Sequence, residues 1–329
     1  MNANLDMQPA PQGSSLLAHD ALTGLAQARK TLPCKWFYDA TGSDLFERIT
    51  ETPEYYPTRV EARLLQDLSG ELAHSIPDLS LIIEPGSGSS AKTRILLETQ
   101  PKLREYVPMD ISADFLYATA EKLEHDFPHL KVNPLVCDFT ALKQPLALGK
   151  NPSAANHCQA CMVFFPGSTI GNFNTAEAVA LLRNMRLLIA RNTCWLLLGV
   201  DMTQDAAKLH AAYNDAAGIT AQFNKNILAR INRELHADFD LEAFQHRAIF
   251  NEAQHRVEMH LVSLCRQQVT VAGERFRFAG GETIHTENSY KYPQPLFESL
   301  LHEAGWSVNR VWRDTVESGF GVYLLRSYH

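Results

Sequence analysis

At 329 residues, with 45% hydrophobic and 20% charged side chains, the chain has the make-up of an ordinary globular protein of one large or two medium domains. Its net charge of −7 argues against a phosphate-backbone partner, which selects a basic face, and no run of about 20 apolar residues is present to span a bilayer. Six cysteines scattered through so long a chain make no disulfide framework, so reduced thiols and a cytosolic setting are expected.

Residues 1–15 are polar, contain Pro and Gln and lack an apolar h-region, which predicts a disordered tail and not a signal peptide. Two clusters dense in polar and aromatic groups follow, at 35–46 and 53–59. From residue 62 to about 200 helix and strand patterns alternate: a helix over 59–75, a strand over 79–84, a helix over 92–100, a strand over 106–109 and a helix over 113–126. Strands over 131–137 and 161–165, a helix over 175–189 and a strand over 194–199 continue the series. Such alternation predicts a doubly wound parallel sheet.

Beyond Asp201 the character changes. Residues 206–235 read as largely helical, and 246–250, 256–264, 268–271 and 276–278 as extended segments, which makes an α+β insertion. After Pro293 a helix over 296–304 ends at Gly305, and strands over 307–313 and 320–325 return to the first sheet. The expected division is a tail at 1–15, a cofactor domain at 62–200 plus 291–329, and a second, substrate-binding α+β domain at 16–61 plus 201–290.

The most informative stretch is Leu79 to Thr93, an apolar strand running into Gly86-Ser87-Gly88 and then a helix start. Glycines there let the backbone turn sharply and approach a ligand that a Cβ would push away. The next strand ends in Asp110, an acid suited to the two hydroxyls of a ribose, and the third ends in Asp138-Phe139. An acceptor beside a ring suits an adenine, whose exocyclic amine donates and whose face stacks. A glycine turn alone is weak evidence. With acids at the next two strand ends the order resembles class I S-adenosylmethionine (SAM)-dependent methyltransferases, an α/β fold. Cys158-Gln159-Ala160-Cys161, with His157 beside it, has metal-ligand spacing, but a zinc site wants a second pair, and no metal is expected.

Seven further runs carry a closer resemblance: WFYDATGSDLFE (36–47), PEYYPTR (53–59), GSGSSAKT (86–93), GSTIGN (167–172), AYNDAAGITAQFNKN (212–226), RVEMHL (256–261) and ENSYKY (287–292). Together they resemble the ergothioneine-pathway histidine Nα-methyltransferases, which are related to fungal tryptophan dimethyltransferases, and the likeness covers nearly everything after the tail. It implies trimethylation of the α-amino group of L-histidine to give hercynine. It implies that Gly86, Ser87, Lys92, Asp110, Asp138 and Phe139 hold SAM, with Lys92 facing the methionine carboxylate. Tyr55, Gly167, Asn172 and Tyr213 would grip the amino acid's carboxylate and amine, Tyr38 would line the amine side, and Tyr38 and Asn172 are the catalytic candidates.

Specificity would rest on Met259, Glu287 and Ser289. An imidazole has two nitrogens, so a carboxylate can accept from one N–H while a hydroxyl serves the other; an indole would leave Glu287 short of a partner. The plainer reading of Glu287 is an i,i+4 pair with Lys291 on a helical surface. Tyr38 and water both stand as proton acceptors. The rival readings are an Nα-methyltransferase for another amino acid such as tryptophan and a non-catalytic SAM-binding regulatory protein. A monomer with a small-molecule substrate, and without nucleic acid or membrane partners, is the default.

Overall fold

A computed structural model of the protein describes residues 13–141, 160–188 and 194–327. In chain order the strands are β1 (Lys30–Thr31), β2 (Leu79–Pro85), β3 (Glu105–Asp110), β4 (Lys131–Val132), β5 (Leu135–Val136), β6 (Ala160–Phe165) and β7 (Trp195–Asp201). They continue as β8 (Phe244–Asn251), β9 (Arg256–Ser263), β10 (Gln267–Val271), β11 (Glu274–Phe278), β12 (Thr283–Tyr290), β13 (Trp306–Arg313) and β14 (Phe320–Ser327). Two compact units emerge, unit 1 from residues 1–52, 210–250 and 258–287, and unit 2 from 53–209, 251–257 and 288–329.

Unit 2 is built on a sheet ordered β13-β14-β7-β6-β2-β3-β4, with β5 also on β3. Strands β3, β2, β6 and β7 pair in parallel, because helices Ala91–Thr99, Ala113–Asp126 and Thr175–Leu188 supply the crossovers that parallel neighbours require. β14 runs antiparallel to both β7 and β13. The central strands are apolar on both faces: Ile83, Val107, Val163, Phe165, Leu196 and Leu198 pack with Leu182 and Met185 of one helix and Leu301 of another. The chain steps outward from β2 to β3 and β4 and then returns to β6 on the other side of β2. That reversal opens a crevice at the carboxyl end of β2.

Unit 1 holds a four-stranded sheet ordered β1-β12-β9-β8, a β10-β11 hairpin, and helices Gly13–Leu25, Ala40–Thr50 and Ile219–Leu235. Asp39 caps Ala40–Thr50 by accepting from Gly42 N–H at 2.8 Å, and Asn226 of the long helix donates to the same carboxylate oxygen at 2.8 Å. Burial would raise the Asp39 carboxyl, but these donors and Arg233, which donates at 2.6 Å, hold it below the usual range. An aromatic group of Phe239, Phe244 and Phe278 fills the space beside the hairpin, edge to face.

The structure departs from the sequence reading at several points. The expected strand over 131–137 is broken into β4 and β5, because Pro134 has no N–H to give the ladder. The helical region 206–235 is two helices, Ala206–Tyr213 and Ile219–Leu235; between them Asp215 accepts from Ile219 and Thr220 N–H at 2.8 Å each and Gly218 takes a φ of +72°. Gly13–Leu25 begins inside the stretch expected as a tail, of which residues 1–12 lie outside the described residues, as does Cys158. Ala40–Thr50 and β12 form where no element was expected. Tyr56–Ser75 starts three residues earlier than read and belongs to unit 2, so the unit boundaries fall after Thr52, Leu209 and Glu287, where the reading placed them after Glu61, Val200 and Tyr290. No helix among the described residues is long and apolar enough to cross a membrane.

Candidate active site

At the carboxyl end of β2, Gly86 (φ +70°) and Gly88 (φ +52°) turn the chain into helix Ala91–Thr99. The N–H groups of Gly86 and Ser87 both donate to Met109 O, at 2.7 and 3.0 Å, which fastens the turn to the end of β3. Gly88 N–H donates to Asp110 Oδ2 at 3.2 Å, while Oδ1 of the same carboxylate accepts from Ser112 N–H at 3.0 Å. A Cβ at Gly86 would lie 3.2 Å from the Phe139 ring, which itself stands edge-on to Phe165 with centroids 5.8 Å apart. Pro85 and Phe139 meet Leu181, Asn184, Met185 and Leu188 of helix Thr175–Leu188 in a shallow, mostly apolar surface depression. Gly86, Ser87, Asp110 and Phe139 are thus neighbours. Asp138 closes a turn by accepting from Thr140 N–H at 2.9 Å.

Ser87 Oγ is buried in this turn with no hydrogen-bond partner. A hydroxyl in that state costs free energy unless something binds there. An orphaned donor, a cradle without Cβ atoms and an acid beside an aromatic face fit a nucleoside-bearing ligand such as SAM.

Two buried carboxylates, Glu84 and Glu61, both feel the charge of Lys92. Glu84 accepts from Thr93 Oγ1 and the Tyr106 hydroxyl, yet burial pushes it up to about 7, with the Glu61 charge adding to the rise and Lys92 opposing it. Lys92 Nζ donates to Glu61 Oε2 at 2.5 Å. Gly167 N–H, at the end of β6, donates to both oxygens of Glu61 at 3.0 and 2.8 Å. The sequence reading chose Lys92 and Gly167 but missed Glu61, the residue that joins them. Its only sequence signal is a charge on the apolar stripe Val60, Leu64, Leu65 and Leu68.

The loop after β6 takes left-handed backbone at Gly167 (φ +81°) and Ser168 (φ +54°) and continues into the short turn Thr169–Asn172, which presents Asn172. Gly171 backs directly onto Tyr290; a Cβ there would lie 2.7 Å from Tyr290 O. Asp201 N–H donates to Ser168 Oγ at 3.0 Å, and the Asp201 carboxylate accepts from Tyr56 OH at 2.6 Å and Lys291 Nζ at 2.9 Å. Tyr55 immediately precedes helix Tyr56–Ser75, and Ser289 is buried near the end of β12.

In unit 1 a chain of polar groups supports Tyr213 and Met259. Thr286 Oγ1 donates to Asn224 Oδ1 (2.7 Å) and lies 3.0 Å from Met259 O; Asn224 Nδ2 donates to His246 Nδ1 (2.8 Å) and His260 O (3.1 Å). His246 Nε2 then donates to Tyr213 O at 2.9 Å, a tautomer fixed by the Asn224 donor. Burial keeps His246 below its ordinary value, against the pull of the Tyr213 carbonyl, so the ring is neutral. Tyr38 packs edge-to-face on Phe46 and Phe223, with centroids 5.8 and 5.6 Å apart. Glu287 lies on β12, and its carbonyl bonds to His285 Nε2 at 3.0 Å. β12 is a strand that ends at Tyr290, so Glu287 and Lys291 share no helical surface. Glu258, His260 and His285 bring three potential metal ligands within 4.8 Å of one another, with His260 Nε2 3.2 Å from Glu258 Oε2.

A family model described as histidine-specific methyltransferase, SAM-dependent, matches residues 17–327. The Histidine N-alpha-methyltransferase of Mycolicibacterium smegmatis is 40% identical over 320 residues, covering 96% of each chain, and that of Mycobacterium tuberculosis is 40% identical over 318, covering 95% of each. Ergothioneine biosynthesis protein 1 of Neurospora crassa is 31% identical over 313 residues, 90% of this chain and 33% of that longer protein.

Proposed function

The chain belongs to the family of histidine-specific, SAM-dependent methyltransferases, and from that premise we infer an enzyme that methylates the α-amine of L-histidine in ergothioneine biosynthesis, carrying the nitrogen to the quaternary, trimethylated state. The observation that carries this reading is the match of one family along residues 17–327, a span that contains both the donor cradle at Gly86 and the run ending in Glu287 to Tyr292. A monomer acting in the cytosol on this small molecule is part of the same proposal.

When bound, the donor supplies an electrophilic methyl group on a sulfonium, which leaves the chain two tasks: alignment and a deprotonated amine. Gly86, Ser87 and Asp110 hold the donor's polar groups, and Phe139 with Asp138 its base. Lys92 carries the positive charge that suits a carboxylate. Tyr55, Gly167, Asn172 and Tyr213 bind the amino acid's carboxylate and amine, while Met259, Glu287 and Ser289 select the imidazole by contact and by hydrogen bonds to its two nitrogens. Each round requires the α-ammonium to lose a proton, so the site must favour the neutral amine or supply an acceptor for that proton. The Tyr38 hydroxyl accepts or relays that proton, and its ring offers a π face to the growing cation.

The test is incubation of the purified protein with SAM and each standard amino acid, followed by mass spectrometry. Histidine carrying up to three added methyls is the expected product; preference for another amino acid, or no transfer to any, overturns the reading.

A further inference from the structure

We propose that Glu61 is a positioning residue whose carboxylate joins the donor-side lysine to the acceptor-side loop, so that donor and amino acid bind cooperatively. The inference rests on the roles proposed above for Lys92 and Gly167.

Glu61 lies on helix Tyr56–Ser75 with none of its surface exposed. Removing a carboxylate from water is costly, and a leucine at this place on the apolar stripe would pack without that cost. What the carboxylate adds is connection. It accepts from Gly167 N–H with both oxygens and from Lys92 Nζ with one, across 106 and 31 residues of chain. Ammonium and amide converge on one anion, and the ideal Cβ position of Gly167 lies only 3.6 Å from Lys92 Nζ. Neither group can shift without disturbing the other's acceptor.

The neighbouring strand is shaped for this carboxylate. A Cβ at Gly199 on β7 would stand 1.9 Å from Glu61 Oε1, so a side chain is absent where the carboxylate lies. Lys92 enters helix Ala91–Thr99 directly behind the glycine turn, and Gly167 opens the loop that presents Asn172. Ordering Lys92 on a donor carboxylate therefore fixes Glu61, which fixes Gly167 and the start of the acceptor loop. A second ligand then pays less of the ordering cost, which is positive coupling between two sites.

The experiment is calorimetric titration of the full-length protein with S-adenosylhomocysteine, with and without saturating histidine. In the wild type, histidine is expected to tighten S-adenosylhomocysteine binding at least threefold. Glu61→Gln keeps the size and an acceptor for Gly167 but removes the charge; it is expected to weaken S-adenosylhomocysteine about tenfold and to abolish the dependence on histidine. Lys92→Met is expected to do the same, and the double variant to lose no more than a further twofold. Should Glu61→Gln fail to fold, Glu61→Asp and Lys92→Met carry the test, since each loosens one contact while leaving a carboxylate at 61. A purely structural Glu61 would lower the melting temperature yet leave the histidine dependence intact, and that result overturns the proposal, as does a wild type in which histidine has no effect although it is methylated. A wild type that binds the product through Glu61 and Lys92 but never methylates histidine would instead sink the functional reading, which keeps the two failures apart.

Discussion

Lys291 Nζ lies 2.9 Å from Asp201 Oδ2, with 1% and 0% of the two side chains exposed, and Tyr56 donates to the same oxygen. Burial alone would raise the Asp201 carboxyl; the lysine, with the Tyr56 and Thr203 donors, reverses the sign and holds it below the usual range. Removing one partner of such a pair typically costs about 3–5 kcal/mol, because the other charge stays buried. Lys291→Met is expected to lose about that much in urea unfolding, and Lys291→Met with Asp201→Asn to recover part of it. A carboxyl depressed in the folded state contributes stability that is present above its unfolded value of about 4 and is lost as pH falls through the folded value. The double variant should therefore lack part of the acid limb of the melting curve.

Glu84 carries the opposite sign. Raised from 4.5 to about 7 by burial, it favours the folded state most below the unfolded value, and that contribution is lost as pH rises through about 7. Glu84→Gln should gain stability relative to the wild type between those limits, on the order of 3 kcal/mol at most. Equal melting temperatures of the two proteins at pH 5 and pH 8, measured without ligand, would refute the assignment.

Asn224→Ala deprives His246 Nδ1 and the His260 carbonyl of their shared donor, while the Thr286 hydroxyl keeps Met259 O. A destabilisation of about 1–3 kcal/mol is expected from the stranded groups. Since the network ends on Tyr213 O and beside Met259 O, the KM for histidine should rise more than the KM for SAM.

Glu287→Ala removes the carboxylate proposed to accept from the imidazole. A charged hydrogen bond of about 2 kcal/mol predicts a rise of about 30-fold in the KM for histidine, with SAM binding unchanged. Asp110→Ala should do the converse, weakening S-adenosylhomocysteine in calorimetry. Glu287→Ala that leaves the histidine KM unaltered would remove it from the specificity set.

Tyr38→Phe tests the proton path. Loss of rate with a shifted pH profile is expected if the hydroxyl takes or relays the amine proton; an unchanged profile assigns that task to water.

Much of unit 2 was legible because its signals are local. Gly86 and Gly88 declare a backbone turn by themselves, Asp110 and Phe139 end apolar runs, and helix Ala113–Asp126 has the bounds its periodicity predicts. The break at Pro134 was also local and was overlooked. Elements of unit 1 were harder to see. β12 buries Thr286 as well as Ile284, which hides its period of two, and helix Ala40–Thr50 has small and polar residues through its first turn. Supporting residues were the least visible: Thr286 meets Asn224 across 62 residues and Glu61 meets Gly167 across 106, contacts that only tertiary packing creates.

The place of β14 between β13 and β7 bears on how the protein is made. A ribosome completes β7 at Asp201 and reaches β14 only at Phe320, an interval on the order of ten seconds at usual elongation rates. Throughout that time β7 offers an unpaired apolar edge to whatever strand is near. Chaperone occupancy of the nascent chain should accordingly persist until residues 320–327 have emerged, and yield in a cell-free synthesis should depend on holdase supply more steeply than the stability of the finished enzyme would suggest.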